Sequence, residues 1–524
     1  MGTARLWHNG RVYTGTRYAE ALLIDDGRVV AVGSSKEVRR AAPTGTESVD
    51  LSGHLIVPGL IDAHLHLGEM TLAREALDVS GPHSVRELVE SIRRWAVDHP
   101  SGALIGYGWS ADRLGRAEPP TRTELDEAVA DRLLVLYHAS GHAAVVNTVM
   151  LGAAGIDRST PDPGGGRIGR DSDGTPNGAL YDAAMHALDA LTTREATVGA
   201  EALEHTLGLV LSFGITTVAS MGVGREEFSA LRQLEDRGRI PLRIRLYLHV
   251  AGLREKELPR FGSPPHGDRL AVTGVKAFTD GAFGPRTAWL SAPYEDAPGE
   301  TGISVGGAVE LPAALQDAAS RGLAPALHAI GDRAIERALG LLEPLVRSTP
   351  APARIEHAAL TPPELLRRLD SVRPALVVQP GFVWSDFWLA ERLGRDRARW
   401  AYTFRTLLDR GHLLAGSSDA PCDPLDPWRG LRGCVRRRDP EGRSANPDPS
   451  EAVPVEEAVR MYTVNGGKVL GELDLGSLEP GARADLLVLE GPDLVDALDA
   501  GSGAIREVWV DGVRWTGAKP SGVP

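Results

Sequence analysis

Apolar and polar positions repeat with two different periods along this chain, and the change of period divides it into three zones. Up to about residue 54 the period is two, broken by glycine turns, as in Arg11-Val12-Tyr13-Thr14-Gly15 and Ala21-Leu22-Leu23-Ile24. Asp26-Gly27 stands between that second run and Arg28-Val29-Val30-Ala31-Val32, and predicts a two-residue hairpin, whose central positions need the positive φ that Asp and Gly tolerate. The same style returns in Leu486-Leu487-Val488-Leu489 and Glu507-Val508-Trp509-Val510. Segments 1–54 and 466–524 are therefore expected to be the two parts of one small β-sandwich domain.

Between them, over 55–465, short apolar runs alternate with helical patterns such as Glu87 to Trp95 and Arg333 to Leu342. The runs include Leu55-Ile56-Val57, Leu133-Leu134-Val135-Leu136, Thr216-Thr217-Val218, Val275-Lys276-Ala277-Phe278, Ala326-Leu327-His328 and Leu376-Val377-Val378. Strands alternating with helices predict βα units on a parallel sheet, hence an α/β fold.

Ionisable residues interrupt these runs at their ends. His64 and His66, two positions apart, share one face of a strand and can reach one metal ion, although two surface histidines give the same pattern. Lys276 stands inside an apolar run, where a buried ammonium needs compensation. His328, His357 and Asp419 each end a run. Taken singly, these are equally a salt-bridged lysine, satisfied core histidines and a capping aspartate. Their spacings argue for more. A (β/α)₈ barrel allots roughly 30 residues to each unit. His328 and His357 are 29 positions apart, and His357 and Asp419 are 62 apart, one unit and two. From His66 to Lys276 is 210 positions, where three units need only about 90. The expected fold is thus a TIM-like (β/α)₈ barrel with a large early insertion at about 70–200. His64 and His66 fall on the first strand, Lys276 on the fourth, His328 on the fifth, His357 on the sixth and Asp419 on the eighth, all facing one mouth.

Composition narrows the function. A net charge of −13 argues against nucleic acid or an anionic membrane surface as partner. Two cysteines, Cys422 and Cys434, cannot build a disulfide framework. No apolar h-region follows the first residues and no run of about 18 apolar residues occurs, so a cytoplasmic protein is expected.

Longer motifs carry a resemblance. Pro58-Gly59-Leu60-Ile61-Asp62-Ala63-His64-Leu65-His66, Gly274-Val275-Lys276 with Asp280-Gly281-Ala282, His328-Ala329-Ile330-Gly331-Asp332, Ile355-Glu356-His357, Val378-Gln379-Pro380 and Ser418-Asp419-Ala420-Pro421 resemble the amidohydrolase superfamily. The branch is the amidohydrolase-3 group that includes N-substituted formamide deformylases. Asn465-Gly466-Gly467 departs from it, since the family usually shows Asn-Ala-Ala there.

The resemblance implies two zinc ions, one on His64, His66 and Asp419 and one on His328 and His357, bridged by a carboxylated Lys276. An unmodified lysine beside a single metal is the alternative, and ligand type leaves nickel, manganese or iron open. It also implies Asp419 as general base, which moves a proton from water to the leaving amine. The expected reaction is hydrolysis of a non-peptide C–N bond in an amide, N-substituted formamide or cyclic amide. Deamination, lactone or ester hydrolysis on the same metals, or a non-catalytic binding role, are the competing readings. Substrate contacts are expected from Trp109 and His142 in the insertion. Arg286 either binds a carboxylate or pins its loop, and Trp384 either floors an apolar pocket or packs. A small-molecule amide partner and a homodimer complete the expectation.

Overall fold

The computed structural model describes residues 4–192, 198–250, 268–307 and 310–517. Eight parallel strands form its centre: β1 (Leu60–Leu65), β2 (Ile215–Val223), β3 (Arg243–His249), β4 (Leu270–Phe278), β5 (Ala324–Ala329), β6 (Arg354–His357), β7 (Ala375–Val378) and β8 (Leu414–Gly416). Each pairs with its neighbours in chain order. Nearly every residue in them is buried, as a parallel sheet covered by helices on its outside requires. Bonds beyond β8 close the ring onto β1: Asp419 N donates to His64 O at 2.8 Å, and His66 N to Ala420 O at 2.8 Å. The Asp62 carboxylate of β1 accepts the Ser418 amide at 3.1 Å. The TIM-like barrel expected from the spacings is therefore present.

The insertion lies between β1 and β2. It carries a six-stranded sheet in the order 166–170, 176–182, 143–146, 134–138, 104–109, 77–78, with apolar cores of its own. The run at Leu133–Leu136 belongs to this sheet, because its apolar side chains pack with those of Leu88, Leu104 and Val145.

Both termini build a separate pair of sheets. One runs in the order 28–33, 21–25, 5–8, 47–50, and the other 513–514, 505–510, 486–489, 55–58, 11–13, 18–19. Trp7 of the first meets Trp509 of the second edge-to-face at 5.4 Å, inside their shared core. The Asp26-Gly27 hairpin forms as expected, with φ of 46° and 72°. Leu55–Pro58 pairs with Leu486–Leu489 and with Arg11–Val12, so this run is a sandwich strand that leads straight into β1. Its continuous apolarity comes from burial on both faces, which also marks a barrel strand.

The Asn465-Gly466-Gly467 departure has a packing reason. The helix Val464–Val469 presses on β1 so closely that a Cβ on Gly466 would lie 2.8 Å from the Ile61 Cβ. A Cβ on Gly467 would lie 2.6 Å from the Leu475 carbonyl oxygen, which is backbone and cannot swing away. Gly467→Ala is expected to lower stability by about 1–3 kcal/mol, the cost of overpacking. Equilibrium unfolding checks this, and an unchanged midpoint would show that the turn gives way freely.

Candidate active site

The six ionisable strand-end residues meet at the C-terminal mouth of the barrel. His64 Nε2 lies 3.1 Å and His66 Nε2 3.2 Å from Asp419 Oδ1. Asp419 Oδ2 is 3.9 Å from His357 Nδ1, and Lys276 Nζ is 3.4 Å from His64 Nε2. The His328 and His357 rings lie 4.5 Å apart, centre to centre. His357 and Asp419 hold their backbones at φ of 72° and 61°, a region costly for residues other than glycine. Those sharp turns at the strand ends aim both side chains across the mouth.

Hydrogen bonds behind the imidazoles fix which nitrogen faces inward. A backbone carbonyl only accepts, so His66 Nδ1 donates to Met221 O at 3.1 Å and His328 Nε2 donates to Gly281 O at 3.0 Å. His64 Nδ1 pairs with Glu356 Oε2 at 2.5 Å, and His357 Nδ1 with Gln379 Oε1 at 2.7 Å. The Gln379 amide nitrogen in turn donates to Ser417 Oγ at 3.0 Å. His64 and His66 thus spend Nδ1 outward and turn Nε2 toward Asp419, the arrangement that orients metal-ligating histidines, while His328 and His357 each give one ring nitrogen to Gly281 O and Gln379 Oε1. Asp419 Oδ1 adds an acceptor that is buried and has no hydrogen-bond donor. Several lone pairs facing each other in a buried space repel unless a cation lies among them. His64, His357 and Asp419 offer ligand atoms within 4.8 Å of one another. The donor set fits a divalent cation of zinc type.

Burial sets the protonation states. It pushes His328 well down, with His357 adding to the effect, and pushes His357 down to about 3, so both are neutral ligands at neutral pH. It lowers Lys276 to about 8 against the pull of Glu356 and Asp419. Burial acts to raise Asp419, but the neighbouring imidazoles, His64 first, outweigh it and hold the carboxyl well below its usual range.

The sequence profile described as the Amidohydrolase family matches residues 47–515 of the chain. This protein belongs to the amidohydrolase family. An N-substituted formamide deformylase of Arthrobacter pascens is 30% identical over 519 residues, covering 94% of each chain. YtcJ of Bacillus subtilis is 34% identical over 505 residues, covering 93% of this chain and 94% of its own. The crystal structure of a metal-dependent hydrolase from Pyrococcus horikoshii superposes with a TM-score of 0.76 at 31% identity, over 96% of this chain and all of that one.

A cavity of about 90 Å³ opens from the metal-type cluster of this amidohydrolase. The barrel supplies His328, His357, Asp419 and the loop residues Phe382, Phe387 and Trp388, and the insertion supplies Arg113, His138 and His142. The Phe382 ring lies parallel to that of His357 at 6.4 Å.

The four residues expected to touch substrate fare differently. His142 lines the cavity, with Nδ1 held by Asp182 Oδ1 at 2.7 Å and its ring 4.7 Å from that of His328. Trp109 sits behind the wall instead. It is buried, donates Nε1 to Leu136 O at 2.9 Å and meets the His138 ring edge-on at 4.7 Å. Arg286 is taken by Asp296 at 2.8 Å, which pins its loop and leaves no charge for a ligand. Trp384 packs in the barrel's core under the Arg429 guanidinium, outside the cavity.

Other functional positions carry no assigned role in the motifs. Glu356 anchors His64 and is itself gripped by Arg354 Nε at 2.6 Å, inside the barrel. Arg354 also donates to Ala63 O at 2.7 Å. Gln379 anchors His357, and Asp280 accepts the amides of Trp289, Ile330 and Gly331 at 2.8–3.1 Å, shaping the loop under His328. The available signal was the one that marked Lys276: two charges, Arg354 and Glu356, in a strand of four residues. Among the described residues no helix is long and apolar enough to cross a membrane.

Proposed function

We propose that this amidohydrolase hydrolyses a non-peptide C–N bond in a small-molecule amide, N-substituted formamide or cyclic amide, on a zinc site held by His64, His66, Lys276, His328, His357 and Asp419. One observation carries the reading: the buried His64 and part-buried His66, each with Nδ1 taken outward, bring Nε2 to an Asp419 oxygen that has no donor. The likeness to an N-substituted formamide deformylase over nearly the whole of both chains supports the choice of bond.

When bound, a divalent cation supplies Lewis acidity at a carbonyl oxygen and lowers the pKa of water. Asp419 receives the proton of the attacking water, whose oxygen bonds to the carbonyl carbon. As the C–N bond breaks, Asp419 returns that proton to the nitrogen, without which an amide nitrogen leaves poorly. Neutral Lys276 can add carbon dioxide: its nitrogen lone pair forms the N–C bond, one C–O π pair moves to oxygen, and a proton leaves the nitrogen. The carbamate so formed shares one negative charge over two oxygens, where an ammonium has no acceptor at all.

Metal analysis with a panel of formamides, cyclic imides, lactones and aminopurines tests the reading. Amine or acid release from the amides is expected. Ammonia release from an aminopurine, or turnover of lactones alone, would replace it, and a purified chain that retains no transition metal would end it. Lys276→Ala is expected to lose metal occupancy, and two metals fully retained in that variant would remove the lysine from the bridge.

A further inference from the structure

The insertion wall of the cavity holds polar groups that the hydrolytic chemistry does not use. His138 ends the strand Leu134–His138, in register with Trp109 of the strand Leu104–Trp109. Its Nδ1 accepts the Ser140 backbone N–H at 2.9 Å. A backbone N–H only donates, so Nδ1 carries no proton and the hydrogen of this ring sits on Nε2. Burial, with lesser effects of His142 and Arg113, pushes the imidazole down to about 3, so the ring is neutral. Nε2 has no partner among the described residues. It faces Gly284, where a Cβ would stand 3.1 Å from Cε1 and 3.6 Å from Nε2, so the absent side chain leaves that edge open to the cavity.

Beside it stands Arg113, the one Lys or Arg lining this cavity. Its recorded hydrogen bond is a long one, NH1 to Ser80 O at 3.4 Å, and no carboxylate of the described residues lies within ion-pair distance. The acids nearby are committed elsewhere. Asp423 is paired with Arg429 and the Ser385 hydroxyl, Asp386 accepts the Tyr402 hydroxyl at 2.5 Å, and Asp112 holds Arg392 at 2.9 Å. An uncommitted guanidinium and a fixed neutral N–H donor therefore line the same cavity as the metal-type cluster. Phe387 and Trp388 add apolar surface to that cavity.

We infer that Arg113 and His138 Nε2–H bind a carboxylate of the substrate, so that the amide hydrolysed is an anionic one of the N-acyl amino acid type with an apolar side chain. The inference rests on the amide hydrolase reading above and adds a charge requirement to it.

Two arms on the metal-loaded full chain test it. In the first, N-formyl-phenylalanine and its methyl ester are compared as substrates. Arg113→Ala is expected to raise KM for the acid about 10- to 100-fold, the worth of a charge-assisted hydrogen bond, with kcat within about threefold. Its kcat/KM on the ester stays near wild type, Arg113→Lys restores part of the loss, and His138→Phe gives a smaller rise. Equal losses on acid and ester, or a wild-type preference for the ester, overturn the proposal. In the second arm, 3-phenylpropionate binding is measured by calorimetry, with 3-phenylpropanamide as the neutral control. Arg113→Ala is expected to weaken only the carboxylate, and an unchanged affinity overturns the proposal. If neither formyl compound turns over, the panel of amides above decides the amide reading and the binding arm still decides the carboxylate site.

Discussion

Asp419→Asn is expected to fold, to keep its metals and to lose at least ~10² in amide turnover, the scale of general-base removal. Asparagine keeps the shape of the side chain and an oxygen that can ligate, and it tolerates the φ of 61° at this position, so the strand end keeps its turn. What it loses is the capacity to take a proton at an oxygen 3.1 and 3.2 Å from His64 and His66 Nε2. Steady-state kinetics together with metal analysis of the same sample separate the two roles of this residue. Near-normal turnover would remove Asp419 as the base, and loss of metal alongside activity would make it chiefly a ligand.

Arg354→Met is expected to cost about 3–5 kcal/mol, because it strips the partner from a fully buried carboxylate. Arg354 and Glu356 are both wholly buried and 2.6 Å apart, with the Arg354 guanidinium over the Tyr247 ring at 4.4 Å. Burial acts to raise the Glu356 carboxyl, and Arg354 followed by His64 overcomes this and holds it below its ordinary value of 4.5. A folded pKa below the unfolded one gives stability that is complete above the unfolded value. It begins to fall below pH 4.5 and is lost as pH passes through the folded value. The double change Arg354→Met with Glu356→Leu should recover most of the stability and lack that acid-sensitive component. It also leaves His64 Nδ1 without its acceptor, so metal affinity should stay about 10- to 100-fold weaker. Unfolding midpoints from pH 7 down to about pH 2, with metal titrations near neutrality, check both parts. A stable Arg354→Met, or tight metal binding in the double variant, would show that this chain of contacts does not hold the site.

Much of the architecture is legible in the amino-acid sequence. The two-residue period at both ends and the Asp26-Gly27 turn announced the sandwich, and strand-end charges spaced by multiples of about 30 residues announced the barrel. His64, Lys276, His328 and Asp419 stood out because an ionisable group in an apolar run is expensive unless it has work there. Leu55–Val57 and Leu133–Leu136 were not separable from barrel strands, since strands buried on both faces read alike wherever they pair. Trp109, Arg286 and Trp384 show a further limit: a residue type suited to ligand contact does not say which way its side chain points.

The sequence by itself determined the alternation of elements, the size and place of the insertion, and the ionisable residues that gather at one barrel mouth. Local periodicity and the cost of burying charge are written along the chain. Only the tertiary structure decided which nitrogen of each histidine is held by a hydrogen bond, that Glu356 and Gln379 hold two of those rings, and that Arg113 and His138 line one cavity with no carboxylate of the described residues within ion-pair distance of Arg113. These are relations between residues tens to hundreds of positions apart. Hydrogen-bond direction and charge pairing depend on distances that come into being when the sheets close.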